Sequence, residues 1–385
     1  IPGLDRQPLE HCVPVPVTDE SRSGCRHDGL SCGERQSLVE REDRVALVPC
    51  TSDAVHERLP ERKVQADEFA HGARLLPALS RGRCKNARVN ASAPSGIKLW
   101  WEGARPRTLP AAVVPVAVGG ACAVGQVDAR WWRVVLAAVV SLALQVGVNY
   151  ANDYSDGIRG TDEKRVGPLR LVGSGLVPAP RVKAAAFASF FVAATAGLVL
   201  ALMTSLWLVA VGLCAILAAW FYTGGPKPYG YAGLGEVFVF VFFGLVATVG
   251  TTYAVTQTLP AVSWWAGCAA GCFSCAMLVT NNLRDIPGDT VSSKRTLAVR
   301  MGDARTRVFF QLLFVDAAVC VVLAGVAAGP WALLGILGVA TAVVPVRTVR
   351  AGAMGRDLIA VLGGVGRAQL LFGVSFSAGL VLALS

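Results

Sequence analysis

Hydrophobic and polar positions change their pattern once along this chain, near residue 95. Before that point there is no long apolar run and no sustained helical period; Pro, Arg, Ser, Cys and acidic residues are interspersed. From Trp100 onward, apolar runs of about 20 residues recur, the length a helix needs to cross a bilayer. Nine are expected, over roughly 108–127, 131–151, 184–204, 205–222, 234–254, 260–282, 306–327, 329–346 and 368–384. Gly, Pro and charge mark most breaks, although only Thr204-Ser205 separates the third run from the fourth. The fold expected is all-α: a polytopic membrane domain over residues 96–385, preceded by an extension over 1–95 that has no visible means of burying a core. A zinc module built from the Cys and His of that extension is the weaker alternative, because it holds no Cys-x-x-Cys pair.

Composition agrees. The 385 residues are 54% hydrophobic with mean hydropathy +0.51, too apolar for a soluble protein of this size. The net charge of +10 belongs to the body: residues 1–95 hold 14 basic and 14 acidic side chains, the remainder 22 and 12. Seventeen basic residues fall in or beside the connections after even-numbered runs, and only Arg130 and Arg133 after odd-numbered ones. The positive-inside bias then predicts a multi-pass protein of the cell membrane, with its N-terminus cytoplasmic and its C-terminus outside. The basic residues sit in short loops, which argues for anionic lipid or a small anionic substrate and against nucleic acid. All four His precede residue 95, so the body has no His for acid–base or metal chemistry.

Two polar clusters stand out. Asn149-x-x-Asn152-Asp153-x-x-Asp156, with Asp162 beyond, closes the second run; Asn281-Asn282-x-x-Asp285-x-x-x-Asp289 closes the sixth. Each is followed by a Lys-Arg pair, Lys164-Arg165 and Lys294-Arg295. Spacings of three and four put each Asp pair on one helix face. Both clusters end even-numbered runs, so both face the cytoplasm, as in an internal duplication with a site between its halves. Carboxylates at a bilayer surface are costly unless used. Asp153, Asp156, Asp285 and Asp289 are candidate ligands for Mg²⁺, which takes oxygen donors and keeps places for phosphate oxygens. A diphosphate held between them would have its remaining charge absorbed by Lys or Arg, and an allylic chain on it would ionise towards an electron-rich aromatic partner.

Between the fourth and fifth runs lies a Gly/Pro/Tyr-rich loop with Tyr222, Lys227, Tyr229 and, at the mouth of the fifth run, Glu236. It is a candidate cover that packs on a flat ring. Asn149, Asn152 and Asn282 are candidate substrate contacts. Cys272-x-x-Cys275 lies among small residues and reads as packing. Asp316, in mid-run, is a candidate without a visible partner.

Four stretches together, "EGARPRTLPAAVVPV" (102–116), "NYANDYSDGIRGTDEKRVGPLRLVGSGLV" (149–177), "YTGGPKPYGYAGLGE" (222–236) and "NNLRDIPGDTVSSKRTLAVRMG" (281–302), resemble the UbiA superfamily of intramembrane aromatic prenyltransferases. The resemblance covers the body from about residue 100 and nothing before about 95. It implies nine transmembrane helices around a central cavity open to the cytoplasmic side, Mg²⁺ dependence with two ions, and transfer of a polyprenyl group from polyprenyl diphosphate. Asp153, Asp156 and Asp162 fall in the family's first aspartate-rich motif, and Asp285 and Asp289 in its second. Lys164, Arg165, Lys294 and Arg295 fall where the family has diphosphate-facing or loop-ordering basic residues. Many members space the first motif Asn-x-x-x-Asp-x-x-x-Asp; here Gly157 holds the last place and the carboxylate is Asp156. The branch acting on 1,4-dihydroxy-2-naphthoate shares this departure, which implies that acceptor, with loss of CO₂ and diphosphate, in menaquinone biosynthesis. The alternatives are a sister enzyme for hydroxybenzoate, homogentisate, haem or a chlorophyll precursor, and, from another class, a transporter using the Asp pairs to bind metal.

Overall fold

The computed structural model describes residues 96–161 and 169–385. The extension over 1–95 and the segment with Asp162, Lys164 and Arg165 lie outside the described residues. Every regular element among the described residues is helical. In chain order they are α1 (Ile97–Gly103), α2 (Pro110–Ala121), α3 (Trp132–Ile158), α4 (Ala179–Met203), α5 (Trp207–Phe221), α6 (Gly235–Thr256), α7 (Ala261–Val291), α8 (Leu297–Met301), α9 (Asp303–Ala328), α10 (Pro330–Arg350) and α11 (Asp357–Leu384). Proline opens α2, α4 and α10, where a missing amide hydrogen costs nothing.

Nine of these helices, all except α1 and α8, overlap the expected runs. Seven, α3, α4, α6, α7, α9, α10 and α11, are long and apolar enough to cross a membrane. The other two differ from expectation: α2 has 12 residues and α5 has 15, about 18 and 22 Å at 1.5 Å per residue, against a hydrocarbon core of about 30 Å. The ends of α3 and α7 also differ. The apolar runs stop near 151 and 282, but the helices continue to Ile158 and Val291. Polar residues do not break a helix whose backbone groups are already paired, so the clusters form the last turns of α3 and α7.

The bundle packs α3 along α4 and α7 along α9, while α2 touches α3, α6, α7 and α11. A train of aromatic rings fills the core on the α7, α9 and α11 side: Phe273 stacks on Phe372 at 4.6 Å and Phe372 on Phe376 at 5.1 Å, with Phe314 edge-on to Phe273 at 5.4 Å. A second cluster around Tyr150, Leu171, Ala186 and Phe190 joins α3 and α4. Small residues set the close crossings, as they must where lipid offers no hydrophobic drive for helix association. A Cβ on Gly244 would lie 2.5 Å from the Gly271 Cα, and one on Gly338 2.1 Å from the Phe372 Cα. Gly244 sits in a π-helical stretch of α6, Phe240–Val246, which shifts the helix phase at the cavity wall.

Candidate functional site

Between α2, α3, α4, α5, α6 and α7 lies a cavity of about 760 Å³. Most of its wall is apolar, from Ala193, Gly197, Leu208 and Gly212 to Phe242 and Gly250. One end is charged, lined by Asp156 and Arg170 on one side and Arg284, Asp285 and Lys294 on the other. The division follows from the helices: apolar mid-sections make the long wall, and the polar last turns of α3 and α7 make the charged end.

The two clusters meet there. Lys294 Nζ lies 3.9 Å from Asp156 Oδ2 and 3.8 Å from Asp289 Oδ1, so one ammonium bridges the ends of α3 and α7. An Arg170 Nη lies 3.8 Å from the same Asp156 oxygen. The Tyr231 hydroxyl donates to Asp156 Oδ1 at 2.7 Å. Burial, and then the Asp156 charge, push the Tyr231 hydroxyl above the usual phenol range, so it stays a donor. The Lys294 ammonium also sits 5.1 Å from the Tyr231 ring centre. Asp285 is held by its neighbour: Arg284 donates to both carboxylate oxygens at 2.8 and 2.9 Å.

Asp153 differs from its neighbours. It is fully buried and accepts the backbone amides of Leu171 at 2.8 Å and Val172 at 3.0 Å, one on each oxygen. Its carboxylate therefore fastens the segment that carries Arg170 and is not on the cavity wall. The common helix face expected from the Asp153–Asp156 spacing does not make their surroundings alike: one turn towards the helix end, α3 meets the cavity and not the loop.

The Gly/Pro/Tyr loop is tied over the charged end. Arg159 donates to the Thr223 carbonyl and, at 2.6 Å, to the Gly225 carbonyl. Thr223 donates to Asn152 Oδ1 at 2.8 Å, and the Tyr229 hydroxyl to the Ala218 carbonyl at 2.8 Å. Tyr222 and Tyr229 both face the cavity. Glu236 is buried behind the wall and accepts from Asn282 Nδ2 at 2.8 Å. Lys227 and Arg295 are exposed and lie off the cavity wall. Cys272 and Cys275 are buried packing thiols; the Cys275 thiol contacts the Glu236 carbonyl at 3.2 Å. Asp316, on α9, lies off the cavity wall too.

Several wall residues were not singled out from sequence: Arg105, Thr108, Gln145, Arg170 and Arg284. Gln145 had a signal, an amide inside an apolar run. Thr108 had none, since its role arises from partners 37 and 41 positions away. Among the described residues, no three His, Cys, Asp or Glu gather closely enough to hold a metal ion unaided.

An apolar helical bundle around a cavity with one charged end makes this an integral membrane protein built to hold an amphipathic substrate. The chain belongs to the UbiA prenyltransferase family, whose model matches residues 112–362. It is 50% identical over 281 residues to a 1,4-dihydroxy-2-naphthoate octaprenyltransferase of Mycobacterium tuberculosis, covering 73% of this chain and 96% of that one. It is 38% identical to the protein of the same name from Haemophilus influenzae, covering 58% and 76%. Its fold resembles a UbiA homologue from Archaeoglobus fulgidus solved with DMAPP and Mg²⁺: TM-score 0.53, 16% identity, 74% of this chain and 99% of that one.

Proposed function

We propose that this chain transfers a polyprenyl group from polyprenyl diphosphate to 1,4-dihydroxy-2-naphthoate, releasing CO₂ and diphosphate, as the demethylmenaquinone-forming step of menaquinone biosynthesis. The observation that carries the reading is the convergence of the two acidic clusters on Lys294 at the charged end of a long apolar cavity. The names of relatives at up to 50% identity support the acceptor.

The donor set fits Mg²⁺. It consists of carboxylate oxygens on facing helices, too few and too dispersed to enclose an ion alone, which is how Mg²⁺ binds when phosphate oxygens complete its shell. Asp156, Asp285 and Asp289 would hold the metal, and two ions are the expectation. When bound, the metal draws charge from the diphosphate and makes it a better leaving group. Lys294, Arg170 and Arg284 meet the remaining phosphate charge. Asp153 contributes at one remove, by ordering the Leu171–Val172 backbone beside Arg170. Tyr222 and Tyr229 close the cavity over the reacting carbon and present π faces where positive charge develops. The apolar wall holds the prenyl tail and keeps water from that carbon.

The basic connections support a charged end in the cytoplasmic leaflet of the cell membrane. Membrane lipid is the medium from which the prenyl donor enters. Mass spectrometry of the lipid-soluble product of purified protein, given polyprenyl diphosphate, Mg²⁺ and a panel of aromatic acceptors, tests the assignment. Prenylated, decarboxylated naphthoate is expected, and its yield should vanish on chelation of divalent metal. Product from a different acceptor alone would reassign the enzyme within the family.

A further inference from the structure

A second polar group lines the same cavity at some distance from the ion-binding end. Gln145 and Asn149 lie one turn apart on α3, and Asn149 is seven residues, about 10 Å of helix rise, before Asp156. Both are more than nine-tenths buried and both line the cavity. The turn between α1 and α2 faces them. Asn149 Nδ2 donates to the Ala104 carbonyl at 2.8 Å and to Thr108 Oγ1 at 3.1 Å. Gln145 Nε2 donates to the same Thr108 oxygen at 3.0 Å. Thr108 passes its own hydrogen to the Arg105 carbonyl at 2.9 Å.

Counting donors and acceptors fixes the orientation of these groups. The Thr108 hydroxyl spends its hydrogen on Arg105 and both lone pairs on the two amides. Asn149 spends both amide hydrogens. Each amide must therefore turn its nitrogen towards Thr108 and its oxygen away. Among the described residues nothing donates to Asn149 Oδ1 or Gln145 Oε1. Two acceptors on largely buried side chains, a helical turn apart on the cavity wall, are left for a ligand that brings two donors. Residues four apart on one helix face have their Cβ atoms about 5–6 Å apart, the scale of one aromatic ring. Arg105 adds positive charge to this wall. Its backbone is left-handed, with φ 55°, a conformation that non-glycine residues adopt mainly where surrounding structure imposes it. One guanidinium nitrogen lies 3.4 Å from the Asn149 carbonyl oxygen.

We propose that Gln145, Asn149 and Arg105, oriented by the Thr108 hydroxyl, form the subsite for a para-dihydroxy aromatic carboxylate. The two amide oxygens accept the ring hydroxyls, and Arg105 faces the carboxylate. Thr108 is a positioning residue that does not need to touch the ligand. The subsite rests on the proposed transfer to 1,4-dihydroxy-2-naphthoate and specifies how that acceptor is recognised.

The test uses the full chain in lipid nanodiscs with octaprenyl diphosphate, Mg²⁺ and 1,4-dihydroxy-2-naphthoate. Gln145→Leu and Thr108→Val are expected to raise KM for the naphthoate about tenfold, the worth of one well-made hydrogen bond to a ligand, with KM for the diphosphate unchanged. Thr108→Ser should restore the wild-type value. Equilibrium dialysis without the diphosphate gives a second readout: wild-type protein should prefer the naphthoate to 1,4-naphthalenediol, and Arg105→Met should abolish that preference. Unchanged naphthoate KM in both variants would overturn the subsite and leave the proposed reaction standing. If wild-type protein does not prenylate naphthoate, the functional reading falls, and dialysis still decides whether these residues bind it. Should Gln145→Leu fail to fold, judged by a lost diphosphate KM, Gln145→Met is read in its place.

Discussion

At the residue scale, neighbouring carboxylates on one helix do different work because their surroundings differ. Asp156 faces cations and the cavity; Asp153 faces two backbone amides. Asp153→Asn swaps one acceptor oxygen for a donor aimed at a backbone N–H, and leaves that amide buried without a partner. A stability loss of about 1–3 kcal/mol is expected, read as a fall in thermal midpoint. Asp156→Asn keeps an acceptor oxygen for Tyr231 and should lower the midpoint less than Asp153→Asn, while removing most activity, about 10²–10³-fold in kcat. Equal midpoints for the two variants would contradict this division. Tyr231→Phe tests the same carboxylate from the loop side. A phenol–carboxylate bond is worth about 1–2 kcal/mol. Tyr231 holds its proton more tightly in the folded protein than in the unfolded chain. The difference between wild type and Tyr231→Phe should therefore be complete below the ordinary tyrosine pKa of about 10, and vanish as pH rises through the higher folded value. The candidacy of Asp156 was legible from its spacing and company. The loop duty of Asp153 was not, because its partners at 171 and 172 are known only once the chain turns back.

At the element scale, the period and length of apolar runs located the helices, and close packing decided how they touch. Gly338 shows the second effect. Gly338→Ala would gain about 1 kcal/mol of helix propensity, but its Cβ would meet the Phe372 backbone at 2.1 Å. Overpacking costs about 1–3 kcal/mol and should win, so the variant is expected to unfold at lower temperature. A rise in midpoint would show that α10 moves freely away from α11. Two features of the helices were hidden in the sequence. The π-helical stretch of α6 arises where Gly244 meets Gly271, a contact between residues of different helices. The continuation of α3 and α7 through their polar clusters was hidden because hydropathy marks where lipid contact ends and not where the backbone stops coiling.

At the scale of the whole molecule, the cavity joins a charged end to a long apolar hold. Gly212 lines that hold, and an added Cβ there meets nothing within 4 Å. Gly212→Phe should fold normally and fill space that a prenyl tail needs. Turnover of geranyl diphosphate is then expected to survive while that of octaprenyl diphosphate falls at least tenfold, measured by product mass spectrometry. Equal loss with both donors would mean that the apolar wall does not sort chains by length.

Helix location, membrane residence and the two acidic clusters were written in the order of residues. Each depends on hydropathy, period or spacing, quantities that belong to a local stretch of chain. The convergence of Asp156 and Asp289 on one ammonium, the withdrawal of Asp153 from the cavity and the Thr108-centred amide pair were decided by tertiary structure alone. Each requires groups distant in sequence to meet in one small volume, and the partners of a side chain follow from packing that no local pattern encodes.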